Sequence, residues 1–129
     1  MVDPLPQPPK TAREVYDTRD SEYTITFIDA VFLRPKMYTL GGTLEEVGAF
    51  VEGFYRALKC HNPRDRAQEE AQHWFDFCAW ACQRLDIDLC DWRALFRLLR
   101  QRYGTDDVAI GGLEALYMQY RAHTMNESS

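Results

Sequence analysis

The chain has 129 residues, 46% hydrophobic and 13% aromatic, with 20 acidic groups against 15 basic ones and a net charge of −5. That length suits one domain, and a chain of this size buries roughly 68% of its unfolded surface, enough to fold without metal or disulfide staples. The aromatic content excludes a disordered or fibrous class. The acidic balance argues against nucleic acid as a partner, and no stretch approaches the ~20 apolar residues of a membrane span, so no membrane partner is expected.

In chain order, Pro4, Pro6, Pro8 and Pro9 make the leader extended, and residues 1–20 are expected to form a flexible, Pro-rich N-terminal arm. The leader MVDPLPQPPK has no basic segment followed by an apolar run, so it does not read as a secretory signal. A helical domain is expected over 21–123. Tyr23 to Ile28 alternates like a strand. Phe27, Ile28, Val31 and Phe32 also pair at helical spacing, and a helix over 24–33 is the preferred reading. Pro35 pushes Arg34 out of the α region and ends that helix.

Gly41 and Gly42 supply a turn, and Thr43 with Glu46 forms a capping box for the next helix, which is predicted to run to Lys59. Its apolar stripe is Leu44, Val47, Val51, Phe54 and Leu58, widened by Phe50. Gly48 and Gly53 within it point to neighbours packed close to the backbone. From Asp65 to Leu85, a broad apolar face including Trp74, Phe75, Cys78 and Cys82 suits the central helix of a bundle.

Asp88 is placed to cap a fourth helix, with Asp91 near the positive end of its dipole. That helix buries Trp92, Leu95, Phe96, Leu99 and Tyr103, and Gly104 follows it. A fifth helix starts at Thr105 or Asp106, with Gly111-Gly112 marking a bend or a close crossing. The tail 124–129 is polar and expected to fray. The predicted fold is all-α, a single-domain bundle of about five helices.

Chemistry-bearing patterns are sparse. Cys60, Cys78, Cys82 and Cys90 do not form the paired spacing of a zinc framework, and reduced thiols of a cytoplasmic protein are the simpler reading. One Glu70-x-x-His73 motif lacks the second copy that a di-iron bundle needs. Asp86, Asp88 and Asp91 open like a calcium loop. Asp91 then stands where that loop requires glycine, and Arg97 where it requires glutamate. No nucleophile elbow or P-loop is present, so no catalytic residue, metal or cofactor is expected and the chain does not read as an enzyme.

Arg93, Arg97 and Arg100 form a helical stripe, read as a solvated face that pairs with nearby acids. The acids themselves cluster: Glu45, Glu46 and Glu52; then Asp86, Asp88 and Asp91; then Asp106 and Asp107. If the fold brings two clusters to one end of the bundle, they make a negative patch that steers a basic partner.

The segment Arg34-Pro35-Lys36-Met37-Tyr38-Thr39-Leu40-Gly41-Gly42-Thr43 is architectural on its own terms. It ends one helix, sets Met37 and Tyr38 into the core, turns at two glycines and caps the next helix at Thr43 and Glu46. The string also resembles the signature of small helical immunity proteins from bacterial polymorphic-toxin and contact-dependent competition systems, including the swarm-inhibition immunity proteins of myxobacteria. The likeness covers residues 24–58 directly.

It implies a cytoplasmic protein that binds one cognate toxin and neutralises it by stoichiometric occlusion, without catalysis. It carries over no toxin-contacting residue. A nuclease toxin would bring a basic groove for the acidic clusters to fill. The alternative, from a different class, is a non-catalytic adaptor or regulator that pairs with a second copy of itself as a homodimer.

Overall fold

A computed structural model describes residues 10–61, 65–87 and 92–128. The described residues are all-helical. They form α1 (Ala12–Tyr16), α2 (Phe27–Leu33), α3 (Pro35–Tyr38), α4 (Leu44–His61), α5 (Asp65–Arg84), α6 (Trp92–Tyr103) and α7 (Asp106–Ser128). The helices number seven rather than five, because two short ones join the five predicted.

One of these, α1, lies within the expected arm. Thr11 caps it by accepting from the Glu14 backbone N–H, and the Glu14 carboxylate accepts from the Thr11 N–H, a complete capping box. The other, α3, starts at Pro35. Proline suits the first position of a helix because its missing N–H would have no partner there. α2 ends at Leu33 as expected, and it starts at Phe27 because Thr26 and Asp29 form a second capping box.

The predicted Thr43–Glu46 box is present, and Glu46 also accepts from the Gly41 N–H at 3.0 Å. Gly42 turns the chain at φ 68°. Of the two core anchors expected from this segment, Tyr38 is half-buried against Phe27 and Phe50, whereas Met37 is 65% exposed. On α4 the core takes Tyr55, while Phe54 faces out.

The central helix is α7, not α5. It packs against every other helix except α3, and Ala109 to Tyr117 are buried without interruption, as expected of a helix apolar on all sides. It continues through the stretch expected to fray, to Ser128. Gly111 lets the backbone of Lys10 and Thr11 lie directly on it, and Gly112 takes the ring of Tyr103. On α4, Gly48 holds the ring of Phe96, so α4 and α6 approach closely, whereas a side chain at Gly53 would meet open space. The core gathers Trp74, Phe77, Phe96, Leu99, Leu113 and Tyr117.

Candidate functional site

Three regions concentrate polar or exposed groups. The deepest lies where the loop before α2 and the start of α2 meet α5 and α7. Asp29, fully buried at the first turn of α2, accepts from the Thr26 N–H at 2.9 Å and from the Tyr23 hydroxyl at 2.7 Å. Arg121 lies 3.6 Å from the same carboxylate. Arg121 also donates to the Thr24 carbonyl at 2.6 Å and covers the Tyr23 ring. The Tyr117 hydroxyl stands 3.0 Å from the Thr26 hydroxyl and 3.0 Å from His73 Nε2, tying α2, α5 and α7 together.

Glu114, Tyr117 and Arg121 share one face of α7 by their three- and four-residue spacing. Glu114 is 0% exposed, and no donor reaches either of its carboxyl oxygens. Burial, and after it the adjacent Asp29, push the Glu114 carboxyl up to about 11, so at neutral pH it holds its proton. Two carboxyls side by side in a sealed interior cannot both ionise cheaply. Burial likewise raises the Tyr23 and Tyr117 hydroxyls and lowers His73, which keeps that imidazole neutral.

This layer reaches the surface at a cavity of about 410 Å³, lined by Thr26, His73 and Tyr117 with Phe27, Glu69 and Glu70. Glu114 and Asp29 do not line it and are fully buried, so the acid pair acts on the fold. The signal for it was present in the sequence: one glutamate inside an otherwise apolar run from Ala109 to Tyr117.

The acids predicted to meet a partner are mostly occupied by the chain itself. Glu52 is buried, accepting from the Trp74 indole at 2.7 Å and from Arg56 at 2.8 Å. Glu46 belongs to its capping box, and backbone N–H groups of Thr43 and Gly41 hold its carboxyl below the usual range. Asp106 accepts from the Leu44 N–H at 3.0 Å and pairs with Arg100 at 3.2 Å. The first turns of α4 and α7 therefore do meet, leaving Glu45 and Asp107 exposed at that end.

Asp86 serves as a helix terminator. It sits at φ 59°, where Ile87 N–H reaches back to the Cys82 carbonyl at 2.8 Å. Asp88, Cys90 and Asp91 lie outside the described residues. In the arginine stripe, Arg100 serves Asp106 and Arg93 lies over the Trp92 ring.

The third region is apolar and exposed. Leu40 is 98% exposed, Met37 65%, Ile25 51% and Phe54 41%. Ile25 and Met37 line one depression with Tyr38, and Phe54 and Tyr38 belong to an aromatic cluster in which the Phe27 ring lies 4.8 Å from Phe54, 5.7 Å from Tyr38 and 6.1 Å from Phe50. Among the described residues no three His, Cys, Asp or Glu side chains gather as a metal site, and no helix is long and apolar enough to cross a membrane. No protein-family model, no curated protein and no solved structure matches the chain.

Proposed function

We propose that this chain is an immunity protein: a cytoplasmic helical module that binds one cognate bacterial toxin domain and neutralises it by occlusion, without chemistry of its own. The observation that carries the reading is the exposed apolar surface. The segment that resembles immunity proteins, Arg34 to Thr43, contributes Met37 and Leu40 to it, and its Tyr38 joins the aromatic rings of α2 and α4 beside Met37. Large exposed apolar side chains grouped around aromatic rings mark a protein-binding face.

Occlusion needs a rigid surface with a few buried anchors, and the α2–α4 corner has both. Its rings pack on one another, and Pro35 and the Thr43 capping box fix the chain on either side. The acidic end at Glu45 and Asp107 is a secondary steering element for a basic toxin.

Co-expression with a candidate toxin from a neighbouring open reading frame is the direct test. Rescue of growth and a one-to-one complex on gel filtration are expected. Continued killing with no complex sinks the reading.

A further inference from the structure

Ile25, half-exposed in the loop before α2, stands between two depressions of opposite charge. The first, about 300 Å³, has Arg13 and Arg34 at its edge and Leu33, Met37 and Tyr38 as walls. The second, about 410 Å³, has Glu69 and Glu70 at its edge and Phe27 and Tyr55 as walls. Ile25 lines both. Arg13 and Arg34 are exposed, and neither guanidinium has an ion pair or hydrogen bond among the described residues.

We infer that this face pairs with a second copy of the same chain about a two-fold axis near Ile25. The argument is charge complementarity. A surface with a positive flank, an apolar centre and a negative flank is complementary to itself once turned by half a revolution. Arg13 and Arg34 of one copy then meet Glu69 of the other, with Glu70, which already has an interaction within its own chain, beside it, twice over, while the apolar centres exclude water between them. A closed two-fold contact is isologous, so each favourable pairing occurs twice and no open chain of subunits results.

A partner with one sign of charge gains on one flank and is repelled on the other. A toxin that takes the same face displaces one copy, but the pairing itself does not depend on the toxin reading.

Light scattering after gel filtration at high-micromolar concentration reads the result directly. Wild type is expected at the dimer mass. Arg13→Glu with Arg34→Glu makes both flanks negative, and Glu69→Lys with Glu70→Lys makes both positive. Each double variant alone is expected to weaken self-association by about tenfold or more, and an equimolar mixture of the two restores a dimer. Ile25→Asp, an exposed loop substitution, gives the same loss should either double variant fail to fold by circular dichroism. A wild type that stays monomeric overturns the proposal. So does a dimer that survives Ile25→Asp and both reversals, since its interface then lies elsewhere.

Discussion

Glu52 and Glu114 are both buried glutamates on long helices, and they are held in opposite ways. Glu52 meets an indole N–H and a guanidinium, so its charge is matched from two sides. Glu114 receives no hydrogen bond on either oxygen and faces the Asp29 carboxyl, so burial, and after it Asp29, keep it protonated. The difference teaches that burial alone does not tell what an acid contributes. A charge-assisted hydrogen bond to a buried donor stabilises, while a carboxyl forced to keep its proton far above its ordinary range costs stability at neutral pH.

The largest effect is expected where the two kinds of site touch. Asp29→Ala removes the α2 capping box, the partner of the Tyr23 hydroxyl and the counter-charge of Arg121. Arg121 is half-buried and keeps its bond to the Thr24 carbonyl, so a loss of about 2–4 kcal/mol follows chiefly from the lost cap and the orphaned Tyr23 hydroxyl, read as a lower denaturant midpoint.

Glu52→Gln takes the charge from the Arg56 pairing and weakens the Trp74 bond. It is expected to destabilise by about 1–2 kcal/mol. The same substitution at Glu114 should have the opposite sign. Glu114→Gln is near-isosteric with the protonated acid and removes the linkage cost, so it should stabilise by about 1–2 kcal/mol at pH 7. Equal signs for the two glutamine variants would break the comparison.

The pH dependence sharpens it. Glu114 has a folded-state value near 11 against an ordinary 4.5. The folded chain therefore holds a proton that the unfolded chain releases. The Glu114 contribution is fully present below about pH 4.5 and is lost as pH rises toward 11, with a slope of up to about 1.4 kcal/mol per pH unit. Glu114→Gln should flatten that slope in urea titrations between pH 6 and 10. An unchanged slope removes the protonated-acid account. The smallest effect is expected at Leu40→Ser, within about 0.5 kcal/mol of wild type by thermal unfolding, because that side chain touches solvent rather than core.

Local chemistry made part of this fold legible in advance. Pro35 dictates where α2 stops, Thr43 and Glu46 where α4 starts, and the small residues at Gly48, Gly111 and Gly112 where backbones and rings approach. α1 was missed because five residues are too few to show a helical period. Its Thr11–Glu14 box was nevertheless readable. The central place of α7 was missed because a helix buried on all sides has no stripe to read.

Met37 was misplaced because hydrophobicity gives no direction once a short proline-started helix reorients the chain. The acid layer depends on Asp29 meeting Glu114 and Arg121 across packed helices, a contact that no local pattern encodes. The acids that were legible, such as Glu46 and Asp106, were legible as caps, and capping is how the structure uses them.

The close approaches at Gly48 and Gly111 have a consequence for how such a chain can diverge. They set the spacing of α4 to α6 and of the residues 10–11 backbone to α7 through backbone and ring contacts, and none of Ile25, Met37, Leu40 or Phe54 takes part. Exposed positions of this kind change at little cost to folding. On the proposed reading, substitutions at these positions would alter partner recognition and leave the same frame in place.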